Sequence, residues 1–344
     1  MPVRSDVVLA DLTTLRLGGP ARRFVEVTTQ DDLVDAVRSG DAAGEPLLVV
    51  AGGSNLVVAD DGFDGTVVRV ATRGVTVQAQ DTCGGAAVTV AAGEPWDDLV
   101  ALAVAEGWSG IEALSGIPGS TGATPIQNVG AYGQEVAETI VRLRAWDRRQ
   151  CEVRTFFASD CGFGYRTSAF KGHDRYVVLD VTFQFPLGAG GGPVRYAELA
   201  RHLGVAPGAT APASEVRDAV LALRRRKGMV LDAGDHDTWS AGSFFTNPVL
   251  DPAELPDGAP AWPQPDGRVK TSAAWLIDRA GFGKGHPGPG GRVSLSTRHP
   301  LALTNRGGGT TDDLLALARE VRDGVRARFG VELVNEPTLV GCSL

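Results

Sequence analysis

Residues 115–133, SGIPGSTGATPIQNVGAYG, constrain the fold of this chain more than any other stretch. Gly and Pro interrupt the stretch throughout, so it cannot form a long helix or a plain strand. Its Ile, Val, Ala and Tyr make it too apolar for a disordered linker. We expect an ordered loop whose backbone packs against something flat or charged, because Gly allows an approach that a Cβ would block. A glycine-rich turn inside an all-β region is the alternative.

The composition is that of a soluble globular protein, with 344 residues, 43% hydrophobic and 22% charged, and a net charge of −8. This length allows two or three domains. The acidic balance argues against nucleic acid as a main partner, and no apolar run reaches the ~20 residues of a membrane span. The scattered cysteines and histidines show no metal-ligand spacing or disulfide framework, so we expect no metal. The amino terminus lacks a signal peptide, which indicates a cytoplasmic protein.

Hydrophobic periodicity predicts helices over residues 31–38, 96–106, 213–227, 272–280 and 311–328. Thr29 is expected to cap the first helix and Gly330 to end the last. Strands are predicted at residues 46–51, 66–70, 75–79, 87–92, 140–146 and 151–155. Residues 175–185 alternate like a half-buried strand, and residues 331–341 are predicted to form a final strand that contains Glu336.

Two glycine-rich segments besides the long loop have the composition of binding motifs. The predicted strand at residues 46–51 runs into Gly52-Gly53-Ser54-Asn55. Such a turn presents successive backbone N–H groups that can hold a phosphate, although a tight turn between two strands is an equal alternative. The G-x-G-x-x-G match at residues 283–288 follows a helix and contains Pro287, so it is not a dinucleotide fingerprint.

Three polar residues stand out from their surroundings. Arg166 lies between aromatic and small residues in FGYRTS, Ser243 lies between a Gly and two Phe in AGSFFTNP, and Glu336 precedes Pro337. Each has a plain alternative: a surface ion pair for the Arg, a turn residue for the Ser and a solvated side chain for the Glu.

Together these segments resemble the bacterial UDP-N-acetylenolpyruvoylglucosamine reductases. The matching segments run nearly end to end: TTLRLGG, GGSNLV, AAGEPWDDL, GIEALSGIPGSTGATPIQNVGAYG, FGYRTSAFK, AGSFFTNP, KTSAAWLID and NEPTLVG. Tyr196, in PVRYAEL, resembles the tyrosine that grips substrate in the longer subgroup of this family.

The resemblance implies an α+β fold with two functional parts. An FAD-binding domain of the vanillyl-alcohol oxidase type, made of two α/β subdomains divided near residue 70, would span residues 1–190. A smaller α+β substrate-binding domain would span residues 191–330, and residues 331–344 would form a strand that returns to the active site. A Gly/Pro-rich segment at residues 186–193 marks the first of these boundaries in the sequence.

The resemblance also implies an activity: reduction of UDP-N-acetylglucosamine enolpyruvate to UDP-N-acetylmuramate, with non-covalent FAD and with NADPH as co-substrate, by a monomer. Arg166 would stabilise negative charge on the substrate carboxylate, Ser243 would donate a proton to C2, and Glu336 would be the acidic catalytic residue. The implied FAD contacts are Gly52, Gly53, Ser54, Asn55, Leu56, Ser115, Gly116, Ile117, Pro118, Gly119, Gly122, Ala123, Thr124, Gln127, Asn128, Gly130 and Ala131. The implied substrate contacts are Tyr132, Tyr165, Arg166, Tyr196, Lys227, Ser243, Asn247, His299 and Glu336.

Alternatives to this activity remain at the level of the sequence. Lys227 has the further explanation of a charge at a helix end, where the macrodipole favours a cation. A flavin oxidase of the same fold, acting on a sugar or hydroxy acid, is a second enzyme hypothesis, since fold does not fix function. A nucleotide-sugar binding protein without enzymatic activity is the third. The response of a bound flavin to oxygen and to enolpyruvyl substrate discriminates between the two enzymes. A purified sample that is colourless and cannot be reconstituted with FAD would favour the binding protein.

Overall fold

The computed structural model describes residues 2–188 and 190–344. Its helices are α1 (Gln30–Ala43), α2 (Trp96–Ala105), α3 (Ala197–Leu203), α4 (Ala213–Arg226), α5 (Ala273–Arg279) and α6 (Thr311–Phe329). Its strands are β1 (Val3–Arg4), β2 (Val7–Val8), β3 (Pro20–Val27), β4 (Leu47–Val50), β5 (Leu56–Val58), β6 (Phe63–Val70), β7 (Val75–Asp81), β8 (Gly85–Ala91), β9 (Gly130–Ala131), β10 (Gln134–Glu135), β11 (Ile140–Asp147), β12 (Glu152–Phe157), β13 (Tyr176–Phe185), β14 (Val249–Leu250), β15 (Trp262–Pro263), β16 (Val269–Lys270), β17 (Val293–Leu295), β18 (Leu303–Asn305) and β19 (Thr338–Val340).

Local capping signals set the ends of the longer helices. The Thr29 side chain accepts a hydrogen bond from Asp32 N at the start of α1, as predicted. At the start of α6, Thr310 and Asp313 form a reciprocal capping box, and Gly330 ends the helix with φ of 70°. Among the helices that the structure describes, none is long and apolar enough to cross a membrane.

The chain divides into two compact units, which we call the first and the second unit. The first unit contains residues 21–52 and 64–226 together with the described residues up to Val7. The second unit contains residues 8–20, 53–63 and 227–344. Both units are thus built from separated stretches of chain. The domain boundaries predicted near residues 70, 190 and 330 stay predictions, and Ala189, within the predicted 186–193 boundary segment, lies outside the described residues.

The first unit contains an antiparallel sheet with the strand order β12-β11-β13-β8-β7. Strand β13 lies at its centre, where Val181 pairs with Leu143 on one side and with Val90 on the other. The prediction of a half-buried strand here was wrong, because most of β13 is buried on both faces of the sheet. In a further sheet of this unit, β4 runs parallel to β6. A continuous apolar core of the unit includes Trp96, Trp108 and Phe183.

The second unit is organised around α6. Residues Leu314, Leu317 and Val321 of this helix are fully buried in one apolar core that also includes Phe244 and Phe245. The short strands β17 and β18 pair as a hairpin, and β19 runs parallel to β5.

The carboxyl-terminal segment differs from its prediction as one long strand. Only Thr338–Val340 forms a strand, and Glu336 lies before it. Pro337 has no N–H to donate to a neighbouring strand, so the segment is divided at this point. Asn335 instead forms an isolated bridge with Phe245.

Candidate active site

Residues 115–133 form an ordered loop in the first unit, as predicted. Its regular structure is limited to a 3-10 turn at Thr121–Ala123 and the short strand β9. The loop is anchored by hydrogen bonds from Gly116 N to Asp97 Oδ1 at 2.6 Å and from Thr121 N to Glu94 O at 2.8 Å.

Arg217 binds the same Asp97 carboxylate through both terminal nitrogens. Burial opposes ionisation of Asp97, but the hydrogen bonds from Arg217 and Gly116 outweigh it and lower its pKa.

Two of the glycines serve packing within the protein itself. A Cβ on Gly52 would lie 2.6 Å from Gly119 Cα, and a Cβ on Gly122 would lie 2.5 Å from Ala92 Cβ. The main chain of the loop therefore approaches other main chain at these points, where only Gly fits. Packing within the protein thus accounts for glycine at Gly52 and Gly122, and their predicted FAD contacts stay predictions.

The loop nevertheless suits a bound group such as FAD. The Ser120 hydroxyl is buried and has no hydrogen-bond partner among the residues that the structure describes. An orphan buried hydroxyl is costly unless something bonds to it. Ile117, Pro118 and Val129 are only half-buried, which leaves apolar loop surface for a planar group. Ser120 was not among the predicted contacts, and its place between two predicted groups of contacts was the available signal.

Arg166 is fixed in the first unit by the same loop. Its Nη2 donates to Gly130 O at 2.6 Å, and its guanidinium lies 5.3 Å from the centre of the Tyr165 ring. Its φ of 53° is a left-handed conformation that costs free energy in a non-glycine residue. Lys171 Nζ donates to the Arg166 carbonyl at 2.9 Å and helps to hold this conformation. Strained residues of this kind concentrate at functional sites.

Asn128 connects the loop to the turn that carries Arg166. Its buried amide donates from Nδ2 to Gly164 O at 3.1 Å and to Glu135 Oε2 at 2.7 Å. Its Oδ1 accepts from Ala137 N at 3.2 Å. Glu135 was missed by the sequence reasoning, although an acidic residue directly after GAYGQ was visible in the sequence.

Two predicted substrate residues, one of them at the end of the loop, meet in the first unit. The rings of Tyr132 and Tyr196 pack edge to face with centres 5.4 Å apart, and Tyr196 is 44% exposed. Arg224, on α4, is buried nearby, and burial lowers its pKa to about 10 against the opposing effects of Tyr132 and Asp97. The predicted charge at Lys227 lies immediately after the end of α4.

Ser243, Glu336 and His299 are brought together in the second unit. Ser243 Oγ lies 3.5 Å from His299 Nε2. Glu336 N donates to the carbonyl of Phe244, the residue after Ser243, at 2.8 Å. Asn55 joins this group, because its Nδ2 donates to Glu336 O at 3.5 Å and its carbonyl accepts from Thr338 N at 2.9 Å.

The buried carboxylate of Asp237 anchors the turn that carries His299. It accepts from Thr297 N at 3.0 Å, from the Thr297 hydroxyl and from Arg306 Nη1 at 2.8 Å. Burial raises the pKa of Asp237, but the Thr297 and Arg306 hydrogen bonds outweigh burial, so the pKa is lowered overall. Asp237 was missed by the sequence reasoning, which had no local signal for it.

Of the other predicted residues of the second unit, Leu56 begins β5, Asn247 supports a helix start and Gly53 lies in a turn. Asn247 Oδ1 accepts from Ala273 N at 3.0 Å at the start of α5. Gly53 has φ of 56°, and a Cβ there would lie 1.8 Å from Leu12 O, so this turn requires Gly.

Comparison with known proteins matches both parts of the chain. Residues 21–156 match the FAD binding domain family, and residues 234–340 match the carboxyl-terminal domain family of UDP-N-acetylenolpyruvoylglucosamine reductase. The UDP-N-acetylenolpyruvoylglucosamine reductase of Cutibacterium acnes is 61% identical over 98% of this chain and 90% of that protein. The reductase of the same name from Saccharopolyspora erythraea is 59% identical over 98% of this chain and 95% of that protein.

A solved structure supports the same assignment over the full length. The UDP-N-acetylenolpyruvylglucosamine reductase of Thermus caldophilus superposes with a TM-score of 0.65 at 26% identity, and the match covers 99% of each chain. The predicted fold class, an FAD-binding domain with a separate domain for the second half, is confirmed. The chain therefore belongs to the UDP-N-acetylenolpyruvoylglucosamine reductase family of FAD-binding oxidoreductases.

Proposed function

We propose that the protein reduces UDP-N-acetylglucosamine enolpyruvate to UDP-N-acetylmuramate with NADPH, in the cytoplasmic synthesis of peptidoglycan precursors. The observation that carries the proposal is the hydrogen bond from Glu336 N to Phe244 O, which fixes the acidic residue beside the Ser243 segment. Bound FAD would supply the redox chemistry by taking hydride from NADPH and giving it to the enolpyruvyl group. The Ser115–Gly133 loop, with its orphan Ser120 hydroxyl, is proposed to hold this cofactor without a covalent bond.

Arg166 is proposed to stabilise the negative charge that develops on the substrate carboxylate. The hydrogen bond to Gly130 O and the contact with the Tyr165 ring hold its guanidinium in place before this charge develops. A preorganised cation stabilises a transition state because it need not reorganise during the reaction. Glu336 is proposed to be the acidic catalytic residue.

Ser243 is proposed to donate a proton to C2 of the substrate. A hydroxyl is a weak acid in water, but it can donate when held against a strongly basic carbon centre. The buried Phe244 and Phe245 beside it exclude water from its backbone side. Tyr132, Tyr165, Tyr196, Lys227, Asn247 and His299 are proposed to bind the nucleotide sugar and its pyrophosphate.

Ser243→Ala tests this assignment in the purified flavoprotein. Flavin bleaching by NADPH should keep its rate, because the hydroxyl acts only after hydride leaves for the substrate. Colour recovery on adding the enolpyruvyl substrate should slow by about 10²–10⁴-fold. Stopped-flow absorbance measures both half-reactions.

Ser294→Ala is the matched control, because Ser294 is a buried hydroxyl of the same unit that bonds Thr304. It should leave both rates unchanged. Equal loss of both half-reactions in Ser243→Ala would contradict the proposed role. Rapid recovery with oxygen and none with enolpyruvyl substrate would instead identify an oxidase.

A further inference from the structure

We propose that His299 and Ser243 form a proton relay in which His299 replaces the proton that Ser243 gives to the substrate. This inference rests on the proposed function, since it needs Ser243 as the proton donor. It adds a catalytic partner to that serine and predicts a pH dependence for one half-reaction only.

The two side chains are within contact distance in the second unit. Ser243 Oγ lies 3.5 Å from His299 Nε2, and both residues are half-buried. Main-chain hydrogen bonds hold them in this relation: Phe244 N donates to Leu301 O at 2.7 Å, and Ala302 N donates to His299 O at 3.1 Å. Backbone hydrogen bonds therefore fix the positions of both residues of the contact.

Hydrogen bonds to Ser296 and Asp237 fix the turn that carries His299. Ser296 Oγ accepts hydrogen bonds from Arg298 N at 3.1 Å and from His299 N at 3.3 Å. Thr297 is tied to Asp237 through its backbone N–H and its hydroxyl. The imidazole is thus carried by a turn with several fixed points, as a proton-transfer group requires.

The charged groups around this turn are of both signs. Arg298 pairs with Asp235 at 2.7 Å and approaches Asp237 at 3.6 Å, and Arg306 pairs with Asp237 at 2.8 Å. Glu336 is joined to the Ser243 side through Phe244 O.

The chemistry of a serine donor creates the need for such a partner. When the Ser243 O–H bond breaks and the new C2–H bond forms, the oxygen keeps the electron pair and becomes an alkoxide. An alkoxide is far too basic to persist near neutral pH. Transfer of a proton from His299 Nε2 to this oxygen restores the hydroxyl and leaves a neutral imidazole, which regains a proton from water. Histidine is the side chain that most readily exchanges a proton near neutral pH, which suits it to this step.

The sign of the pH dependence follows from the proton that His299 must carry. Protonation of the substrate is fast while the imidazole is protonated and slows as pH rises through the titration of His299. Reduction of the flavin by NADPH does not use this proton and should not follow the same titration.

A titration of the histidine side chains tests the contact without turnover. The flavoprotein labelled with ¹⁵N-histidine is titrated by NMR, with His299 assigned by its loss in His299→Gln. Ser243→Ala should shift the Nε2 resonance of His299 and its titration midpoint, and leave those of His286 unchanged. An identical His299 titration in wild type and Ser243→Ala would overturn the relay.

Single-turnover kinetics tests the proton transfer itself. In His299→Gln an amide can still donate a hydrogen bond to Ser243, but it cannot supply a proton. Recovery of the flavin with enolpyruvyl substrate should therefore slow on the order of 10²-fold and lose its dependence on pH. His286→Gln is the matched control, because His286 bonds Glu320 elsewhere in the same unit, and it should behave as wild type.

Two outcomes separate the relay from the function on which it rests. If Ser243→Ala slows substrate protonation but His299→Gln keeps the wild-type rate and pH profile, only the relay is wrong. If Ser243→Ala itself reacts as fast as wild type with the enolpyruvyl substrate, the proposed function of Ser243 is wrong.

Discussion

At the scale of single residues, a few positions beside the candidate site in the first unit have a strained backbone conformation. Asn128, Tyr132 and Arg166 all have positive φ, at 47°, 49° and 53°. Such conformations cost of order 1–3 kcal/mol each and persist only when neighbours fix them. For Arg166 the neighbours are Lys171, which binds its carbonyl, and Gly130, which binds its guanidinium.

Replacing Asn128 by Ala should disturb Arg166 through its turn. The substitution removes the donors to Gly164 O and Glu135 and leaves the 164–167 turn without its support. If Arg166 acts on the substrate carboxylate, oxidation of the reduced flavin by substrate should slow about 10–100-fold while flavin reduction by NADPH changes little. Stopped-flow rates and flavin content measure the effect.

Gln30→Ala provides the control for Asn128→Ala. Gln30 is another amide of the first unit, and its Nε2 donates to Asp180 at 3.0 Å. It should change neither half-reaction. An Asn128→Ala enzyme that retains flavin and oxidises it at the wild-type rate would show that Asn128 does not position Arg166.

At the scale of elements, five of the helices α1 to α6 were predicted from the sequence, α3 was missed, and the strands were less predictable. Thr29, Thr310 and Gly330 are local signals, and each acts at the helix end where it stands in the sequence. The burial of strand β13 was predicted wrongly because it depends on residues that pack on both faces of the sheet and are distant in the sequence. The final segment was misjudged because Pro337 interrupts it and because Asn335 finds its partner at Phe245, ninety positions earlier.

Helix α6 offers a test of packing against propensity. An Ala at Gly324 would favour the helix by about 1 kcal/mol on propensity alone. Its Cβ, however, would lie 2.4 Å from Phe282 Cε2 in the core of the second unit. We expect Gly324→Ala to destabilise the protein by about 1–3 kcal/mol, because overpacking outweighs propensity. Urea unfolding measures the change.

A double-mutant cycle with Phe282→Leu isolates this contact. The smaller side chain gives the new methyl group room, so the cost of Gly324→Ala should shrink in that background. A stabilising effect of Gly324→Ala in the wild-type background would mean that the ring moves aside freely.

At the scale of the whole molecule, buried carboxylates paired with arginine contribute to stability in both units. In the first unit, hydrogen bonding from Arg175 holds the pKa of the fully buried Asp147 well below its usual range, against the opposing effect of burial. In the second unit, hydrogen bonding from Arg292 lowers the pKa of Asp313 to about 2, with Thr310 adding to the effect.

The stability from Asp313 should disappear in acid. Its folded-state pKa lies below the unfolded value of ~3.9, so the contribution is complete above about pH 4 and is lost as pH falls towards 2. Asp313→Asn should lower the melting temperature at pH 7 and approach wild type near pH 2. Calorimetry at a series of pH values measures this convergence.

Asp323→Asn is the control, because Asp323 is an exposed carboxylate on the same helix, paired with Arg322. It should have little effect at either pH. A melting difference between wild type and Asp313→Asn that stays the same from pH 7 to pH 2 would rule out Asp313 ionisation as its source.

The sequence by itself determined the family, through motifs along most of the chain. It also determined the ordered glycine-rich loop and the helix ends at Thr29 and Gly330, because these depend on residues that are neighbours in the chain. Only the tertiary structure decided that Gly52 packs against Gly119, that Asn128 supports the turn of Arg166, and that His299 faces Ser243. These contacts join residues that lie 36 to 67 positions apart. The physical reason is that a side chain's partner is set by how the elements pack, and no periodicity or local motif encodes that packing.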